Sequence, residues 1–166
     1  MFTPSVAPAA NSAVVYRSHV RVEPGAAKLK LVYLPQEQTA IPMGVHGAIA
    51  THYKLADGAF TPRASTLDYI VGATAGCLMG TLNGALQARG IPTGDGRLTG
   101  EAVGEIEVED GVLVIRRIRL TAHLRAAAEH RDTVERVAGL YPAQCPVYRS
   151  LHTAIAISTQ LEFEVT

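Results

Sequence analysis

The sequence predicts an α+β fold, and three observations carry the prediction. Short segments of alternating apolar and polar residues cluster towards both ends of the chain. One long apolar stretch, residues 67–89, separates them. The elements after that stretch run strand, strand, helix, helix, strand, rather than alternating as a doubly wound sheet would. No internal repeat is present.

Residues 1–12, MFTPSVAPAANS, are rich in Ala, Pro and Ser and are expected to form a flexible tail. They lack the basic start and apolar core of an export signal, so the default expectation is a cytoplasmic protein. Residues 13–166 are expected to form a single domain. AVVYRSHVRVE (13–23) alternates as a strand, Pro24-Gly25 marks a turn, and KLKLVYL (28–34) reads as the returning strand. PQEQTAIPMG is loop-like, VHGAIATHYKL (45–55) is expected to be a third strand, and DGAFTPRAS is a connection.

Residues 67–89 form the longest expected helix. Ser65 or Thr66 supplies its N-cap, and Asp68 falls in the first turn, where the helix dipole favours an anion. Arg89, Gly90 and Pro92 close it. LTGEAVGEIEVED and VLVIRRIRLTAHL flank Asp110-Gly111, the strongest hairpin signal in the chain. A polar helix is expected over 127–139, a short helix after Cys145-Pro146, and a final strand over 155–165.

The charges argue against several functions. Fifteen basic and fifteen acidic side chains cancel without forming a block of either sign, so no phosphate-tracking surface is expected and no nucleic-acid partner. The densest basic run, Arg116, Arg117 and Arg119, lies in a strand segment and reads as a solvated face. Tyr69 to Leu86 is uncharged and reaches the length of a membrane-spanning helix, about 20 residues. Thr74, Thr81 and Asn83 within it, and the β-rich remainder, favour a buried helix and no membrane. Neither G-x-G-x-x-G nor G-x-x-x-x-G-K-[ST] occurs, and G-x-S-x-G is also missing. Histidines at 19, 46, 52, 123, 130 and 152 show no metal-ligand spacing; on the expected third strand His46 and His52 would stand ~20 Å apart.

Within the helix, GATAGCLMGTLNG places glycine at 72, 76, 80 and 84. At about 100° per residue these fall on one arc, which permits another backbone to approach closely, as in a helix pair between subunits. Ile70, Val71, Leu78 and Cys77 lie on the adjoining face. By itself Cys77 reads first as a small buried hydrophobe, with a reactive thiol as the alternative. Cys145, the second of two cysteines, precedes proline at a helix start, where free N–H groups favour thiolate.

TLDYIVGATAGCLMGTL, then ARGI, a hairpin and CPVYRSL, resembles the OsmC/Ohr family of osmotically induced and organic hydroperoxide resistance proteins, over roughly residues 60–165. That family carries a small-residue helix of the form P-x-E-L-x(3)-A-x(2)-x-C and a later C-P-V. The resemblance implies antiparallel sheets packed around a long central helix in an intertwined homodimer. It also implies thiol-dependent reduction of organic hydroperoxides without metal, haem, flavin or other cofactor, and an external thiol or dithiol as reductant. By the same resemblance Cys77 is the peroxidatic thiol, Cys145 the resolving one, and Arg21 (with Arg17 as second choice) the cation beside Cys77. Ile70, Leu78 and Val71 would wall the peroxide's apolar tail. The chain departs from the family where Thr66, Leu67 and Asp68 replace the usual Pro and functional Glu. A non-enzymatic module of the same fold, binding an apolar small molecule in the dimer cleft, is the alternative.

Overall fold

The computed structural model describes residues 13–166; the expected tail over 1–12 lies outside them. The chain divides into two compact units, the first ending at Arg63 and the second running from Ala64 to Thr166.

In the first unit β1 (Arg21–Pro24), β2 (Lys30–Tyr33) and β3 (Ile41–Met43) form an antiparallel sheet in that order. Val22 pairs with Val32, and Leu31 with Pro42. Pro42 has no N–H to donate, which suits its place on an edge strand. Three local expectations change here. The strand expected over 13–23 keeps regular structure only from Arg21, because β2 offers a partner no longer than itself. The loop expected before residue 45 contains β3. The strand expected over 45–55 is instead a short helix, α1 (Gly47–His52), with Ala50 buried. Its two alanines favour helix, and alternation alone does not make a strand without a neighbour to pair. His46 and His52 therefore lack the strand spacing assigned to them. Among the described residues no group of three or more His, Cys, Asp or Glu is arranged to hold a metal.

The second unit is built on α2 (Thr66–Gln87), the hairpin β4 (Leu98–Glu109) and β5 (Val112–Ala126), helices α3 (Arg131–Leu140) and α4 (Pro146–Leu151), and β6 (Ala156–Val165). Ser65 caps α2 in a reciprocal box. Its backbone N–H donates to Asp68 Oδ2 at 2.6 Å, and Asp68 N–H donates to Ser65 Oγ at 3.3 Å. The far end closes with Gly90 at φ 71° and the Ile91 N–H donating to the Leu86 carbonyl at 3.1 Å, a Schellman pattern. The β4–β5 turn places Asp110 and Gly111 at φ 49° and 80°, as a type I′ hairpin requires.

The sheet order is β4-β5-β6, and β6 runs parallel to β5, with Ile118 beside Ile157 and Leu124 beside Phe163. This sheet is therefore mixed, not purely antiparallel as expected. The cause is the connection: residues 127–155 form a helical crossover, which returns the chain to the end where β5 began. On β5, alternate residues Ile118, Leu120, Ala122, Leu124 and Ala126 are buried against the helices. Thr74, Leu78, Leu82 and Leu86, spaced four apart on α2, face this layer and are fully buried. Each buried leucine contributes about 2 kcal/mol of apolar transfer. Thr74 satisfies its hydroxyl by donating to the Ile70 carbonyl at 2.7 Å. Length and composition alone would let α2 cross a membrane, but its leucine stripe is the core of this unit. On the outer side of the hairpin, Arg117 pairs with Glu105 and Glu107, Arg119 with Glu105, and Arg116 with Glu109. The basic run is a cross-strand ion-pair ladder.

Two glycines of β4 let α2 approach. A Cβ at Gly104 would overlap Val71 Cγ2, and one at Gly100 would stand 2.6 Å from Met79 Sδ. Methionine is flexible and moves aside; branched Val71 has less freedom. Gly104→Ala is therefore expected to cost about 1–3 kcal/mol in urea unfolding, and Gly100→Ala markedly less. Ser65→Ala removes the cap and is expected to cost about 1 kcal/mol by the same measurement.

Candidate functional site

The structure brings Cys77 and Cys145 together in the second unit. α2 carries Cys77 on the flank between its buried leucine stripe and its exposed glycine stripe, three residues after Thr74. Cys145 follows a 3-10 turn, Tyr141–Gln144, and is the N-cap of α4. Pro146 occupies the first helical position, as the sequence implied. The turn fixes Cys145 from both sides: its N–H donates to the Pro142 carbonyl and its carbonyl accepts from Arg149 N–H, each at 3.0 Å. The Cys145 Sγ accepts from Tyr148 N–H at 3.5 Å. Both thiols are free, and they differ sharply in access: Cys145 is 0% exposed, whereas Cys77 is partly exposed.

Three influences act on the Cys77 thiol. Burial pushes its pKa up, the Val147 backbone N–H pulls it down, and the neighbouring Cys145 side chain pushes it up again. The net direction is upward, so the thiol form is favoured at neutral pH. The Val147 amide escapes a reading by residue type, because a backbone donor leaves no mark in side-chain identity. Thr81, one turn further along α2, donates its hydroxyl to the Cys77 carbonyl at 2.9 Å.

Along the same flank of α2 a pocket of about 420 Å³ opens between α2, α3 and the 3-10 turn. Its apolar wall comes from Ala85, Val137, Leu140 and Tyr141, with Arg89 and Arg136 also on its lining. The tail-binding wall expected from Ile70, Leu78 and Val71 does not form. Leu78 is in the core, Val71 packs on Gly104, and Ile70 is 40% exposed. The three side chains occupy different faces of α2 and so meet different surroundings. Tyr141 went unnoticed in the sequence, although Tyr-Pro just before Cys-Pro marks a tight turn there. It is buried, and burial pushes its pKa up against the opposing pull of the neighbouring Thr159 side chain.

Arg21 lies on β1 in the first unit, exposed, paired with Glu23 and stacked 3.6 Å from the Tyr33 ring centroid. Arg17 is in the exposed chain before β1. Asp68 is occupied as the capping partner of Ser65, the dipole-facing role assigned to it from sequence.

A search of curated proteins finds no match by sequence. Solved structures do match over nearly their whole lengths. The chain is similar to an OsmC-like protein of unknown function from Vibrio cholerae, with a TM-score of 0.67 at 11% identity, covering 92% of this chain and 100% of that one. It is similar to an OsmC-like protein from Mycoplasma pneumoniae, with a TM-score of 0.62 at 14% identity, covering 92% and 99%. It is also similar to the organic hydroperoxide resistance protein OhrB of Bacillus subtilis, with a TM-score of 0.57 at 14% identity, covering 91% and 100%. At these identities the likeness speaks for the fold. The family model for OsmC-like proteins matches residues 57–160, well over half of the sequence and including both cysteines, and the chain belongs to the OsmC-like family.

Proposed function

We propose that this protein is a thiol-dependent peroxidase that reduces organic hydroperoxides to alcohols, acting as a homodimer in the cytoplasm. The observation that carries the reading is the meeting of Cys77 and Cys145, far apart in sequence, as one accessible and one sheltered thiol. The Cys77 thiolate attacks the outer peroxide oxygen. The O–O bond breaks, the alkoxide leaves and takes a proton as alcohol, and Cys77 becomes a sulfenic acid. The Cys145 thiolate then attacks the Cys77 sulfur, the sulfenic oxygen leaves as hydroxide and takes a proton to become water, and a disulfide forms. An external thiol or dithiol restores both thiols. The pocket lined by Ala85, Val137 and Leu140 is suited to an apolar substituent on the peroxide.

Two further parts belong to the reading. Arg21 is assigned as the cation that would draw Cys77 towards thiolate. The glycine stripe is assigned as the contact between two central helices. Four glycines cost α2 about 4 kcal/mol of helix propensity relative to alanine. Among the described residues, nothing outside the helix's own backbone lies within 4 Å of a Cβ built at Gly72, Gly76, Gly80 or Gly84, so the compensating contact is sought in a second copy. The alternative reading, a binding module with inert thiols, is favoured by the upward shift at Cys77.

Cys77→Ser is expected to abolish consumption of cumene hydroperoxide, and Cys145→Ser to stop after one turnover with one oxygen added at Cys77, both read by mass. Equal slow consumption by wild type and Cys77→Ser would exclude the peroxidase. Because the folded thiol titrates above its ordinary value of 9.0, alkylation by iodoacetamide should still be climbing at that pH, about tenfold per unit below it. By the same sign, stability held by the neutral thiol is full below that value and declines above it. If Arg21 acts on Cys77 in the assembled protein, Arg21→Gln will move the alkylation profile further upward. Gly76→Leu should shift the protein from dimer to monomer in sedimentation.

A further inference from the structure

We infer that the reductant enters this site with a fixed polarity: an external thiol attacks the sulfur of Cys77, and Cys145 is always the sulfur released. The inference rests on the disulfide of the proposed function and concerns its second half, the return to dithiol. Exchange at a disulfide requires a thiolate to approach one sulfur from the side opposite the other, and access decides which sulfur is attacked.

Access is unequal here. Cys145 has no exposed surface and belongs to the buried cluster that includes Leu82, Val134 and Tyr141. Its peptide is held by hydrogen bonds to Pro142 and from Arg149, so the segment is not free to swing outward. Cys77 is partly exposed on the flank of α2, and the turn that follows it lines an open pocket through Thr81. Charge placement agrees. As the bond breaks, the electron pair moves onto Cys145, where the Tyr148 N–H stands 3.5 Å from the sulfur and accommodates it. The balance is simple. A thiolate RS⁻ bonds to Cys77 Sγ, the Cys77–Cys145 bond breaks, and Cys145 departs as thiolate. A second external thiolate then attacks the sulfur of R, releasing reduced Cys77 and the oxidised reductant. The buried thiol never carries the mixed disulfide.

Trypsin separates the two sites, since cleavage after Arg63 and Arg89 isolates Cys77 and cleavage after Arg136 and Arg149 isolates Cys145. The full chain is oxidised with one equivalent of cumene hydroperoxide and, in parallel, with diamide. Each sample is exposed briefly to 2-mercaptoethanol, then quenched in mildly acidic denaturant with N-ethylmaleimide. The mercaptoethanol adduct is expected on the 64–89 peptide and the maleimide on the 137–149 peptide, with about tenfold or greater preference. An adduct mainly on 137–149, or divided evenly, overturns the polarity. A disulfide formed by diamide but not by the hydroperoxide would defeat the peroxidase while leaving the polarity to be read from the diamide sample. If neither oxidant joins the two thiols, the inference fails with its premise.

Discussion

Thr74, Leu78, Leu82 and Leu86 lie in one line on α2 and are buried against the inner face of the β4-β5-β6 sheet. The burial of this stripe fixes the rotation of the helix about its axis. Once that rotation is set, every other side chain on α2 has its surroundings assigned. Val71 and Met79 fall on the glycines of β4, the glycines at 72, 76, 80 and 84 face outward, and Cys77 falls on the flank where α4 begins. A rotation of one residue, about 100°, would bury the glycines or strand the leucines in water. The position of the accessible thiol is thus a consequence of hydrophobic packing on the opposite side.

The second thiol depends on a different constraint. A strand parallel to β5 needs a crossover, and the crossover passes over α2 as α3, a 3-10 turn and α4. The turn is closed by Pro142 and stopped by Pro146, so Cys145 is held between two prolines with its sulfur accepting from the Tyr148 amide of α4. The tertiary path that makes β6 parallel is also what carries Cys145 to Cys77. Both thiols are on supported elements, and their unequal exposure gives the pair a direction.

Local signals in the sequence proved reliable where the chemistry was local. The cap at Ser65 and Asp68, the stop at Gly90, the Asp110-Gly111 turn and the Cys145 N-cap each depend on neighbours within a few residues. Signals failed where a distant partner decides the outcome. Residues 45–55 carry an apolar pattern that a sheet could have used, but among the described residues only Val45 makes a bridge, to Pro62, and Gly47–His52 form a helix. Residues 13–20 alternate just as well and form no strand.

By itself the sequence determined the fold class, the long helix with its two opposed stripes, the hairpin, and the two cysteines in their family contexts, because periodicity, capping and turn chemistry are written in adjacent residues. Only the tertiary structure decided the parallel direction of β6, the pocket between α2, α3 and the 3-10 turn, the upward push on the Cys77 thiol and the shelter of Cys145. Each of these comes from surfaces that meet across long separations in the chain, where burial and backbone amides act without regard to sequence order.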